Sequence, residues 1–336
     1  MVISAMEVKL DDVARRAGLS RATVSLALNG SPKVNEKTRE RVLAIAKEMK
    51  YRPNPYARNL VTRKSRQIAL VVPDIENVYY ASFAQNVLTR LRTTPYGLSV
   101  CVSLDSPEME RRIISQMIEY RVSALMLAPV NCPNENPSYL NMLEEANIPL
   151  LFVTSQYPDS VVGNACVMYD LYGGMKLVMR ELYDHGYRRI AMLSGSQDVH
   201  CIDLRARGYC DFISEAGLTF RRIYHLNGIR YEDAQTFIRG NTNPDADALV
   251  CVNDMMALGA INALRERGVR VPEDIAVAGY DDVIFTTVSP VPITTVRQDI
   301  GRMAREAVTR ILKLADGETV DSCTLQCELI RRASIK

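Results

Sequence analysis

Between Gly18 and Asn29 the chain sets three hydroxyls, a guanidinium and a methyl group close together, at Ser20, Arg21, Ala22, Thr23 and Ser25. Such a set can hydrogen-bond to phosphates and to the edges of bases. A second polar set falls where apolar runs stop: Asp74 and Asn77, Asn131, Thr154 and Ser155, Asn253 and Asp254, Asp281 and Asp282. Carboxylates, amides and hydroxyls gathered at strand ends suit the binding of a small polar ligand. Enzyme signatures do not accompany them. The chain has no G-x-G-x-x-G turn after a strand and no phosphate-binding loop, and no local motif marks a catalytic Ser/His or Cys/His pair. The three histidines are dispersed, and of the eight cysteines only Cys323 and Cys327 lie close together. Neither a metal site nor a cofactor is expected, and the thiols are expected to stay reduced.

The first set sits in a pattern of short helices. In LDDVARRAGLSRATVSLAL (10–28), Val13, Ala14 and Ala17 form an apolar stripe behind Asp11 and Asp12, Gly18 permits a turn, and Ser20 can cap a second helix. Leu19 can staple that cap, and Val24 and Leu28 point back at the first helix. The pattern predicts a helix-turn-helix, with the exposed start of the second helix entering the major groove. A third helix is expected after the cap Asn35, burying Val42, Leu43, Ile45, Ala46 and Met49 and leaving Lys37, Arg39, Arg41, Lys47 and Lys50 outside. Asn54 and Pro55 can open a further helix of about two turns, marginal alone and so a candidate switch as well as a linker.

Charge divides the chain in the same way. Residues 1–66 carry 15 Lys/Arg against 6 Asp/Glu, although the whole chain has a net charge of only +2. A basic head on an acidic body is the distribution of a protein whose one end neutralises phosphates. From 67 onward, apolar runs (68–74, 98–104, 124–130, 149–155, 189–195, 248–254, 275–281) alternate with amphipathic stretches (79–92, 108–120, 172–185, 205–216, 255–267, 299–315). That alternation predicts parallel strands buried on both faces and two doubly wound α/β subdomains side by side, with a cleft at the carboxyl ends of their strands. The run TLQCELI near the end reads as one last strand.

The run from Leu10 to Leu60 resembles the DNA-binding head of the lactose/purine repressor (LacI/GalR) family of bacterial transcription regulators. HGYRRIAMLSGSQD, LRARGY, CVNDMMALGAINALRERGVRVPEDIAVAGYDD and PITTVRQDIG are similar to the effector-binding body of the same family, which has the type I periplasmic-binding fold. The resemblance covers essentially the whole chain. It implies that Arg21 and Ala22 read bases, that Ser20, Thr23, Ser25 and Asn29 contact the DNA around them, and that Leu60, with Ala57 beside it, wedges into the minor groove. In the body it implies hydrogen bonding to a ligand by Asp74, Arg205, Asn253, Asp281 and Gln298, and stacking by Tyr79 and Tyr80, while Asp254 and Asp282 are expected to be structural caps.

Three departures from the family pattern matter. Leu26 stands where many members carry a base-reading arginine or histidine. Thr154 replaces an aspartate that pairs with sugar hydroxyls. Arg230 and Tyr231 lie near an aromatic lid position, and the extra cation leaves a phosphate or carboxylate compound as an alternative to the expected sugar or sugar derivative. The expectations are then a helix-turn-helix domain over 1–52, a hinge and linker over 53–66, and an effector-binding and dimerisation domain over 67–336. Within the last, one subdomain takes about 67–166 and 298–325, the other about 167–297 and 326–336. The implied protein is a cytoplasmic homodimer on a pseudo-palindromic operator of double-stranded DNA, regulated by a small carbohydrate and apart from any membrane.

Overall fold

The computed structural model describes residues 8–28, 30–51, 65–133, 137–157, 165–240 and 245–336. They form two compact units, Met1–Ser65 and Arg66–Lys336.

Among the described residues the first unit holds three helices, α1 (Leu10–Ala17), α2 (Arg21–Leu28) and α3 (Glu36–Glu48). The Lys9 backbone N–H donates to Asp12 at 3.0 Å, which fixes the start of α1. Its end is closed by Gly18 at φ +64°, with the N–H groups of Gly18 and Leu19 turned back onto the carbonyls of Arg15 and Ala14. Glycine suits that left-handed position because it lacks the Cβ that makes it costly. Val13, Ala14, Ala17, Val24, Ala27, Val34, Val42 and Ala46 close a small core. Two expectations for α3 fail. Leu43 is 47% exposed, because at helical spacing it lies about 100° round from the Val42–Ala46 seam. Arg39 is half-buried and donates to the carbonyls of Ser31 and Val34, tying α3 to the preceding loop.

The second unit has two six-stranded sheets, ordered β11-β5-β4-β3-β1-β2 and β12-β10-β9-β8-β6-β7. The first contains β1 (Gln67–Val72), β2 (Gly97–Val102), β3 (Ala124–Leu127), β4 (Leu150–Val153), β5 (Cys166–Tyr169) and β11 (Cys323–Leu325). The second contains β6 (Ile190–Ser194), β7 (Arg222–His225), β8 (Ala248–Cys251), β9 (Ala276–Asp281), β10 (Thr294–Arg297) and β12 (Glu328–Ile330). All pairings are parallel except β10 with β12. Central strands such as β3, β4 and β8 are apolar and buried throughout, which is what helices on both faces of a parallel sheet require. β2 is an edge strand and only half-buried, contrary to the expectation for its run.

The run TLQCELI is not one strand. Its first half joins β5 in the first sheet and its second half pairs with β10 in the second, so the chain crosses between the lobes at Gln326 and Cys327. It also crosses after Tyr169 and after Arg297. The first of these crossings lies beyond the boundary placed at 166, because β5 pairs with β4 and β11. The helix read from 205 begins at His200, and the helix Tyr231–Gly240 and strands β5 and β7 were not foreseen. All eight cysteines are free thiols, and among the described residues no helix is long and apolar enough to cross a membrane.

Away from the cleft, Glu110 is fully buried on the helix Pro107–Glu119 and accepts from the hydroxyls of Tyr139 and Tyr157. Burial outweighs those bonds and pushes its carboxyl up to about 7. A carboxyl raised in the folded state ionises there only above the pH at which the unfolded chain has already lost its proton, so stability falls as pH rises from about 4.5 to 7. The shift corresponds to about 3 kcal/mol for this one group. Chemical denaturation of Glu110→Gln at pH 5 and pH 8 should therefore show less loss on the alkaline side than the parent chain. Parallel pH profiles for the two proteins would contradict this.

Candidate functional site

In the head unit the expected surface is assembled. Ser20 caps α2, its Oγ accepting from the Thr23 backbone N–H at 3.1 Å and lying 2.8 Å from the Thr23 hydroxyl. Arg21 and Ala22 are exposed, and Thr23 and Ser25 are half-buried. The Arg21 side chain is 70% exposed and lies 3.5 Å from Asp11. That pair is too solvated to hold Arg21 back from another partner. Asn29, Ala57 and Leu60 lie outside the described residues.

In the body, the carboxyl ends of the strands and the helices that follow them meet around a cavity of about 30 Å³. Tyr79, Tyr80, Thr154, Arg205, Asn253, Asp281 and Gln298 all line it. Its centre is a buried network. Asp281 Oδ1 accepts from Gln298 Nε2 at 2.7 Å and from Arg205 Nη2 at 3.2 Å, and the Tyr79 hydroxyl donates to Gln298 Oε1 at 3.2 Å. The Arg205 guanidinium also stacks on Tyr280, 4.3 Å from the ring centre, while its Nε has no hydrogen-bond partner. Burial pushes the Asp281 carboxyl up to about 6 even against the pull of Arg205. Burial also works against the Arg205 charge, but its acidic neighbours, Asp281 foremost, outweigh it and leave the guanidinium firmly cationic. A cation with an unused donor, a carboxylate and an amide thus converge where a polar ligand could replace some of their contacts.

The tyrosines differ from the expectation in geometry. Tyr79 and Tyr80 sit edge to face at 5.4 Å, both buried, with the Tyr80 hydroxyl bonded to Asn131. Asn253 has both ends of its amide occupied: Oδ1 caps the helix Asp254–Glu266 and Nδ2 donates to the Ile229 carbonyl at 2.8 Å. Thr154 has φ +67°, an uncommon backbone region for a β-branched residue, and this directs the chain out of β4 at the cavity wall. Asp254 and Asp282 are structural, though they cap no backbone N–H of their own helices. Asp254 accepts from the Val283 N–H and the Thr295 hydroxyl, and Asp282 holds Arg297 and Arg332 at 2.7 and 2.6 Å.

Arg230 and Asp74 do not line the cavity. They pair with each other at 3.3 Å, linking the start of the helix Tyr231–Gly240 to the end of β1. The residue of that loop that faces the cavity is Ile229, and the Tyr231 hydroxyl accepts instead from Gln235 and Asn262. Asn77, Asn131 and Ser155, from the strand-end polar set, also line the cavity, and Cys201, Ile229 and Val252 complete the lining and were missed. Cys201 was legible in principle, since it stands four residues before Arg205 on one face of the helix His200–Glu215.

Residues 9–54 match the family described as "Bacterial regulatory proteins, lacI family", and residues 179–335 match "Periplasmic binding protein-like domain". The transcriptional regulator CelR of Thermobifida fusca is 31% identical, with 95% of each chain covered. The crystal structure of the Lac repressor dimer bound to operator and the anti-inducer ONPF superposes with a TM-score of 0.84 at 26% identity, covering 97% of this chain and 98% of that one. A CelR–cellobiose complex superposes with a TM-score of 0.71 at 29% identity, covering 97% and 99%. A capped, solvent-facing α2 on a basic head and a polar cavity between two α/β lobes thus occur in one chain with full-length relatives, and the chain belongs to the LacI family as a DNA-binding transcriptional regulator with a periplasmic-binding-protein-like ligand domain.

Proposed function

We propose that this regulator is a cytoplasmic homodimeric repressor on a pseudo-palindromic operator, controlled by a small uncharged polyhydroxylated ligand, a sugar or sugar derivative, held between the two lobes. The observation that carries the ligand class is the placement of the cations. Arg205 is paired with Asp281 inside the cavity, and Arg230 is paired with Asp74 outside it. A phosphate or carboxylate ligand needs an uncompensated cation, and neither arginine supplies one. Hydroxyls, amides and one charge pair suit neutral oxygens instead. Because Asp281 is held by Arg205 and Gln298, the cleft reads as a binding site rather than a catalytic one. Exposed apolar side chains on both lobes, Leu88, Val100 and Leu104 on the first and Ile284, Phe285 and Val288 on the second, suit a self-associating face. Ala57 and Leu60 keep their assignment to the minor groove as part of the same proposal.

Differential scanning fluorimetry against neutral mono- and disaccharides and their phosphate esters tests the ligand class. A neutral sugar should raise the melting temperature in proportion to the logarithm of its concentration, and its phosphate ester should not. Stabilisation by phosphate esters alone would overturn the reading.

Thr154 supplies a second test. Holding a non-glycine residue in the left-handed region costs about 1–2 kcal/mol, so Thr154→Gly should melt no lower than the parent and stabilise it by up to about 1 kcal/mol. Ligand affinity should fall about tenfold as the hydroxyl is lost. Unaltered affinity would remove Thr154 from the site, and a lowered melting temperature would contradict the backbone strain.

A further inference from the structure

Helix α2 buries Val24 and Ala27 against its neighbours. With successive residues about 100° apart, the side facing away from that seam carries, in order around the helix, Arg21, Ser25, Ala22 and Leu26. Ala22 stands near the middle of this arc and is exposed, and Leu26, one turn further on, is 38% exposed. The helix thus presents an apolar stripe beside a guanidinium on its solvent side. Nothing in the packing of the three helices requires a leucine there, since their core is closed by Val13, Val24, Val34, Val42 and the alanines.

We propose that Ala22 and Leu26 read thymine in each operator half-site through its C5 methyl group. In a helix-turn-helix the exposed side of the second helix faces the major groove. The thymine C5 methyl is the one bulky apolar group on the base edges there; guanine and adenine present the polar N7 on the corresponding side, and cytosine presents only a hydrogen at C5 beside its polar amino group. Opposite a leucine those polar atoms would lose water without gaining a partner, which penalises the competing bases. Leu26 therefore selects by attraction to one base and by exclusion of the others. The inference rests on the regulator function and adds the base class that this chain prefers.

Full-length protein is used to select duplexes from a randomised pool. The enriched duplex is then resynthesised with deoxyuridine in place of each thymidine in turn, which removes only the methyl group, and affinity is read by fluorescence anisotropy. Loss of one buried methyl should weaken binding about fourfold per half-site at one or two adjacent positions. Leu26→Ala should bind the thymine and uracil duplexes within about 1.5-fold of each other at the position read by Leu26, with unchanged far-ultraviolet circular dichroism and unchanged affinity for random duplex. Uracil substitution that weakens parent and variant equally at every position, or weakens the parent at none, overturns the proposal. So does a Leu26→Ala protein that loses affinity for every duplex alike, the behaviour of a leucine packed against another part of the protein. Failure of any motif to be enriched would contradict the regulator function itself.

Discussion

Arg205→Ala is expected to lower the affinity of the cleft for its ligand by about 10- to 150-fold, the loss of a hydrogen bond to a charged group of about 1.5–3 kcal/mol. Arg205 is buried at the cavity wall, its Nε has no hydrogen-bond partner, and its guanidinium is held over Tyr280. The same change strands Asp281. Its carboxyl already sits near 6 with the guanidinium present, and without it the carboxyl should hold its proton to higher pH. The variant's stability deficit should therefore be small below about pH 6, where Asp281 is protonated in both proteins, and grow as pH rises above it. Isothermal titration with the ligand identified by thermal shift, together with denaturation at pH 5.5 and 8, checks both parts. Undiminished ligand affinity would move the site elsewhere.

Arg21→Ala should weaken operator binding by about 1–3 kcal/mol per half-site, and so by roughly 30- to 10⁴-fold on a symmetric site bound by two heads. Arg21 is an exposed side chain whose pairing with Asp11 is long and solvated, so its removal leaves the fold of the head untouched. The loss should be confined to duplexes carrying the preferred base at one position. Lys33→Ala, on the loop after α2, should weaken all sequences alike and only slightly. If Arg21→Ala weakens cognate and random duplexes by the same factor, Arg21 contacts phosphate and reads nothing.

Much of this arrangement was legible in residue types. Gly18 and Ser20 fix the turn and cap of the helix-turn-helix by local chemistry, and local chemistry survives any tertiary context. The long apolar runs of β1, β3, β4, β6, β8 and β9 announce buried parallel strands by composition alone. β7 was missed because Arg222–His225 is a short edge strand with a polar, exposed residue at each end and no fully buried position, and β11 and β12 were merged because only three-dimensional pairing separates two adjacent three-residue strands. In the cleft, Tyr79, Arg205, Asp281 and Gln298 meet as the motifs implied. Arg230 did not, since its direction depends on a carboxylate more than a hundred residues away, Asp74, that no local pattern connects to it. Leu43 shows the same limit on a small scale: an apolar residue one position off a helical seam looks like core until the neighbouring helices are in place.

Occupancy of the cleft should change the affinity of the head for DNA, and fluorescence anisotropy of the selected operator duplex, titrated with protein at fixed salt with and without saturating ligand, tests this coupling most directly. A coupling of about 1–3 kcal/mol predicts an operator affinity that shifts about 5- to 150-fold with ligand in the parent protein, and that does not shift in Arg205→Ala at the same ligand concentration. A ligand that saturates the cleft by calorimetry yet leaves the parent's operator affinity unchanged would show that cleft and head are not coupled.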